Sequence, residues 1–211
     1  MQQGKNVDIN EKVNVNFKYL LYKPKSESKE KLPLIVFLHG AGERGDDLQK
    51  VKIHGIPKIF DTHMNYNCIA VSPQCPQNTF WVAELKNLKI FIDYIIKEYN
   101  IDETRIYLTG LSMGGYGTWY MAMAYPNMFA AIAPVCGGGM PWNANVLKMP
   151  VWAFHGEADT VVPVLESINM VNKINEDKCT ARLTVFPNVG HNAWDYAYND
   201  ELILWLLGNH K

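Results

Sequence analysis

The chain has 211 residues, 48% of them hydrophobic and 19% charged, which is the make-up of a globular protein and not of a disordered one. Twenty Lys and Arg stand against twenty-one Asp and Glu, and a net charge of −1 argues against nucleic acid as a partner, because such binding needs a basic face. At roughly 150 residues per domain, the length suits one domain that folds without a disulfide or a metal.

The chain begins MQQGKNVDINEK, which is polar and lacks the apolar core of a signal peptide. Cytoplasm is the expected compartment; secretion or periplasmic export is the alternative if a leader has been removed ahead of Met1. Residues 13–22 alternate as VNVNFKY and predict a half-buried strand at a sheet edge. Residues 34–38, LIVFL, form an apolar run between Pro33 and Gly40, the pattern of a strand buried on both faces of a parallel sheet. Similar runs predict strands at 68–71, 106–109, 130–135, 151–154 and 183–186, the first of them short.

Helical patterns lie between them. Residues 83–99 place Leu85, Leu88, Ile92, Ile95 and Tyr99 at steps of three and four, one apolar helix face. Helices are also expected at 113–125, at 164–174 and at 193–207, the last stopping before Gly208. Strands alternating with helices predict an α/β fold, a mostly parallel, doubly wound sheet with helices on both faces. With no internal repeat, linker or charge block, residues 1–211 read as one catalytic domain. No apolar run approaches the ~18 residues of a membrane span, so no membrane partner is expected. Cys68, Cys75, Cys136 and Cys179 include no CxxC pair, and three of them sit in apolar or strand-like settings that suit buried free thiols.

The sharpest chemical signal is Gly110-Leu111-Ser112-Met113-Gly114-Gly115, set between a predicted strand and a predicted helix. That setting is what a nucleophile elbow requires: the serine sits on a tight turn, and its neighbours must be small where strand and helix converge. The competing reading is an N-cap serine in a glycine turn. A serine hydroxyl is a poor nucleophile until a base takes its proton, and histidine is the usual base. Of the six histidines, His191 follows the last strand and precedes the final helix, so the topology of a doubly wound sheet brings it to the same rim as Ser112. His39 and His155 follow strands and read as packed structural histidines; His54 and His63 lie in a loop-like stretch and His210 in the tail. None forms an HExxH-type pair, so no metal site is expected.

A triad also needs an acid to orient the imidazole. Asp159, in HGEADTVVP after the strand at 151–154, is the choice, with Glu157 its local competitor. The order serine, acid, histidine differs from the two common serine-protease orders. The segment His39-Gly40-Ala41-Gly42-Glu43-Arg44-Gly45 offers an oxyanion donor, expected from Ala41, beside a second from Met113; each donor is typically worth about 10²–10³ in rate. The rival reading of this loop, phosphate binding, lacks the P-loop lysine and the GxGxxG spacing.

The segments LPLIVFLHGAGERGDD, VSPQCPQNTFW, YLTGLSMGGYGTW, APVCGGG, PVWAFHGEADTVVP and GHNAWDYAY occur in that order over about residues 32–206. Together they resemble the α/β-hydrolase superfamily, and within it the phospholipase/carboxylesterase-like esterases, which include predicted peptidases and polyhydroxybutyrate-depolymerase-like enzymes. The resemblance implies Ser112, Asp159 and His191 as triad, Ala41 and Met113 as oxyanion donors, and no cofactor. Position 112 is serine where dienelactone hydrolases carry cysteine. Members of this branch often carry further domains, and the sequence reads as the catalytic unit without them.

The expected function is a serine carboxylesterase acting on short acyl esters, or on acyl groups borne by a bulky carrier such as a carbohydrate. A peptidase or amidase of the same fold is the alternative within the class, and a non-catalytic binding protein the alternative outside it. The stretch 137–150 is too short for a cap domain, so an open site is expected. Trp81, Trp142 and Trp194 fall near the expected rim, where aromatic rings can stack on a sugar; ordinary packing is the competing reading for each.

Overall fold

A computed structural model describes residues 13–24, 30–62, 65–176 and 181–211. Its strands are β1 (Tyr19–Tyr22), β2 (Leu32–Leu38), β3 (Ile69–Pro73), β4 (Ile101–Leu111), β5 (Ala131–Val135), β6 (Val151–Gly156) and β7 (Ala181–Phe186). Its helices are α1 (Gly55–Asp61), α2 (Leu85–Glu98), α3 (Met113–Ala124), α4 (Leu165–Glu176), α5 (Trp194–Ala197) and α6 (Asp200–Leu207). The strands form one sheet in the order β1-β3-β2-β4-β5-β6-β7. β1 runs antiparallel to β3, and the other pairings are parallel.

Apolar side chains cover both faces of the sheet, as the unbroken run in β2 requires. Leu34, Val36 and Leu38 point to one face, where Leu88, Ile92 and Ile95 of α2 and Trp119 of α3 cover them. Ile35 and Phe37 point to the other, against Ile56 and Phe60 of α1 and Leu202, Ile203 and Leu206 of α6. Residues 34–38 are fully buried. Among the described residues no helix is long and apolar enough to cross a membrane.

Three elements depart from the expectations. Of the strand expected over 13–22, only Tyr19–Tyr22 pairs; Val15 and Phe17 pack on the core from an irregular segment. The short helix α1 occupies a stretch that reads as loop, because Gly55 and Pro57 mask its apolar face. The terminal helix expected at 193–207 is two helices, and the break is chemical: Asn199 caps α6, its Oδ1 accepting from the Leu202 N–H at 3.1 Å.

The chain lays β3 on one side of β2 and then β4 on the other, so the winding direction reverses between β2 and β4. In open α/β sheets, ligands bind outside the carboxyl ends of the strands at such a reversal. Here the loops that leave β2 and β4 at that point carry Ala41 and Ser112.

Candidate active site

Ser112 joins β4 to α3 with φ 51° and ψ −115°, a conformation that a residue with a Cβ rarely adopts. Its N–H donates to Val135 O on the neighbouring strand at 2.9 Å, which pins the turn. The glycines around it are required by space: a Cβ on Gly114 would enter the Leu38 carbonyl, and one on Gly110 would meet the Gly114 carbonyl. Only without those side chains does α3 start hard against β2 with the serine projecting above the sheet.

The loops after β6 and β7 bring the other two groups. His191 Nδ1 lies 2.7 Å from Asp159 Oδ2, and His191 Nε2 lies 2.8 Å from Ser112 Oγ. A carboxylate can only accept, so Nδ1 carries the imidazole proton and Nε2 presents its lone pair to the serine hydroxyl. Burial works against the charge on Asp159, but His191 and the N–H groups of Val162 and Val161, each 2.9 Å from Oδ1, outweigh it and hold the carboxyl below the usual range. The two loops are laced together by Ala158 N–H to Val189 O at 2.9 Å and Glu157 N–H to Phe186 O at 3.0 Å. Glu157, the competitor for the acid, instead accepts from the Asn188 N–H at 3.1 Å on the exposed side of this brace.

Behind Asp159 lies a buried polar cluster that sequence reasoning did not connect to it. His155 is fully buried; its Nε2 is 2.9 Å from Val162 O and 3.3 Å from Asp159 Oδ2, and its Nδ1 is 2.8 Å from Ser167 Oγ. Ser167 Oγ is also 3.1 Å from Gly137 O, so the cluster reaches back to the end of β5. Burial pushes the His155 imidazole below its ordinary value, so the ring is neutral and Nε2 donates. The Cys136 thiol faces Asp159 and is pushed up to about 12 by burial. The possible ligand atoms of Cys136, His155 and Asp159 lie within 4.8 Å of one another. These groups are already engaged within the fold: His155 Nε2 donates to Val162 O, and both Asp159 oxygens accept from other donors. The strand-end reading of His155 holds, and its contact with Asp159 is the addition.

Ala41 and Met113 each open a helical turn, so neither N–H has a partner within its own helix. The two residues line one groove. The loop that bears Ala41 is stitched to the segment after β3. His39 Nε2 accepts from the Cys75 N–H at 2.9 Å and its Nδ1–H donates to Gly40 O at 2.6 Å, while Gln74 Nε2 donates to Glu43 O at 2.8 Å and to Asp47 O at 2.9 Å. Burial takes His39 down to about 4, which keeps the ring in this neutral tautomer. The structural reading of His39 therefore stands.

The three tryptophans expected at the rim divide. Trp81 is corrected: it is fully buried and donates from Nε1 to His39 O at 2.9 Å, so no sugar can reach its ring. Trp142 stands 77% exposed on the turn Pro141–Val146. Trp194 packs edge-on against His191, with ring centroids 5.1 Å apart, and serves as a wall for the imidazole. His63 and Cys179 lie outside the described residues; Cys68, Cys75 and Cys136 are buried free thiols, as expected.

The sequence profile described as "Dienelactone hydrolase family" matches residues 73–198, more than half of the chain. A bifunctional acetylxylan esterase/xylanase of Neocallimastix patriciarum is 40% identical over 82 residues, 39% of this chain and 11% of that protein. Poly(3-hydroxyalkanoate) depolymerase C of Paucimonas lemoignei is 42% identical over 121 residues, 50% of this chain and 28% of that protein. The chain thus spans less than a third of the length of either relative. Among solved structures, a thermostable esterase superposes with a TM-score of 0.83 at 36% identity, covering 94% of this chain and 60% of that one. Esterase PE8 superposes with a TM-score of 0.70 at 22% identity over 92% of this chain and 100% of that one, a likeness of fold.

Proposed function

Because the chain belongs to the dienelactone hydrolase family of the α/β-hydrolase superfamily, we propose that it is a serine carboxylesterase. It hydrolyses short acyl esters, or acyl groups on a bulky carrier such as a carbohydrate, through an acyl-enzyme on Ser112. The observation that carries this reading is the unbroken chain of hydrogen bonds from Asp159 through His191 to Ser112 Oγ, at 2.7 and 2.8 Å.

In this mechanism Ser112 Oγ attacks the ester carbonyl carbon as its proton passes to His191 Nε2. The carbonyl oxygen becomes an oxyanion and takes hydrogen bonds from the Ala41 and Met113 N–H groups. Asp159 stabilises the charged imidazole without itself taking the proton. When the tetrahedral centre collapses, the bond to the leaving oxygen breaks and His191 returns the proton to it, releasing the alcohol. Water repeats the sequence, frees the acid and restores Ser112. The serine at 112 makes this base indispensable, because a hydroxyl ionises far less readily than the thiol of a dienelactone hydrolase.

Two features support a carrier of some size. The stretch between β5 and β6 forms one short 3₁₀ turn and no cap, which leaves the rim open, and Trp142 is exposed on that turn. Similarity to an acetylxylan esterase points the same way. The test is labelling with a fluorophosphonate probe together with parallel assays on p-nitrophenyl acetate and peptide anilides. Labelling that is lost in Ser112→Ala, with ester turnover, is the expected result. An unlabelled wild-type protein overturns the serine mechanism, and turnover of anilides alone overturns the esterase.

A further inference from the structure

Beside the two proposed oxyanion donors lies an open groove of about 560 Å³, walled by Ala41, Phe80, Val82, Ala83, Met113 and Tyr116. The Tyr116 phenol is the one strongly polar side-chain group among them. Phe80 is 56% exposed and Val82 37%. Apolar side chains left open together at the edge of a reactive centre are the composition of a ligand subsite.

The groove is built, and its anchor is the buried tryptophan. Trp81 turns inward and is held through its Nε1 to His39 O, so the flanking Phe80 and Val82 turn outward. Arg44 then fixes Phe80: its guanidinium lies 5.0 Å from the centre of the Phe80 ring, its Nε donates to Ala41 O at 2.9 Å, and an Nη donates to Thr79 O at 3.3 Å. One side chain ties the aromatic wall to the backbone of the oxyanion loop. Ordering the ring in advance reduces the entropy that a bound group must overcome when it packs there.

The chemistry decides which half of the ester enters. The tetrahedral carbon bears four groups. Ser112 Oγ holds one position, the oxyanion faces Ala41 and Met113, and the leaving oxygen must face His191 Nε2 to be protonated. Neither His191 nor Trp194 lines the groove, whereas both oxyanion residues do. The remaining substituent is the acyl chain. An acetyl methyl is far smaller than this groove and leaves most of its apolar wall in water. An aromatic ring offers a face to Phe80.

Resting on the reading of Ser112 as the acylated residue, we infer that this groove is the acyl subsite and that it selects acyl groups bearing an aromatic ring over acetyl, with Phe80 the specificity-determining wall. The test holds the leaving group constant and compares kcat/KM for p-nitrophenyl 3-phenylpropanoate with that for p-nitrophenyl acetate. The expected wild-type ratio is about tenfold or more, and Phe80→Ala brings it towards one. A wild-type ratio of one or less overturns the inference, as does a ratio that Phe80→Ala leaves unchanged. So does a Phe80→Ala loss on 2-naphthyl acetate that matches its loss on the phenylpropanoate, because the groove then holds the alcohol. If Phe80→Ala does not fold, Val82→Ser reads the same ratio, with the same fall expected. A protein that turns over neither ester and takes no fluorophosphonate label defeats the serine mechanism itself, which is a distinguishable result.

Discussion

At the scale of single residues, the hydrogen-bond chain through His191 sets the strongest expectations. Ser112→Ala should lower kcat by about 10⁴–10⁶ while the far-UV circular dichroism and denaturation midpoint stay at wild-type values. Asp159→Asn should lower kcat by about 10⁴, because an amide that donates to Nδ1 reverses the tautomer and leaves Nε2 protonated towards Ser112. Retained turnover in either variant contradicts the assigned roles. These residues were legible in the sequence because each follows a strand and their order narrows the choice. The Trp81–Phe80 exchange was not legible. Composition marked an aromatic cluster near the rim, but the direction of each ring depends on which one finds a buried acceptor, here His39 O. His155 was placed correctly at its strand end, yet its contact with Asp159 depends on how the loop after β6 folds back, and no spacing announces that.

At the scale of elements, glycine positions and caps carry the predictions. Gly114→Ala forces a methyl into the Leu38 carbonyl, so β2 and α3 must separate. The variant should be destabilised by roughly 3 kcal/mol or more, read from urea midpoints, and turnover of p-nitrophenyl acetate should fall even where it folds. Asn199→Ala removes the N-cap of α6 and should cost about 1 kcal/mol by the same measurement, with kcat unchanged. The buried strands were legible because runs such as LIVFL have few alternatives. α1 was missed because a seven-residue helix shows too little periodicity to stand out, and the break before α6 was missed because the apolar period continues across it.

At the scale of the whole molecule, two neutral histidines built into the interior make stability depend on pH. Burial lowers His39 from an ordinary 6.5 to about 4, and burial also lowers His155. Below pH 6.5 the unfolded chain takes up protons that the folded one excludes, so stability rises with pH across this window. The His39 contribution is complete above 6.5 and is lost progressively as the pH falls towards 4; the shift corresponds to about 3 kcal/mol. Urea midpoints taken across that range should decline on acidification, and a flat profile contradicts the burial of these rings as neutral groups.

The lacing of the loop after β6 to the loop after β7 has a mechanical consequence. Ala158, Glu157 and Val189 tie the loop that bears the carboxylate directly to the loop that bears the imidazole, whereas the hydroxyl sits on the turn pinned to Val135 of β5. Any displacement of these joined loops carries acid and base together, so the contact it alters is the one between Nε2 and Oγ. Mild heat that silences the enzyme before it melts should widen that gap first, while the pairing of Asp159 with His191 survives.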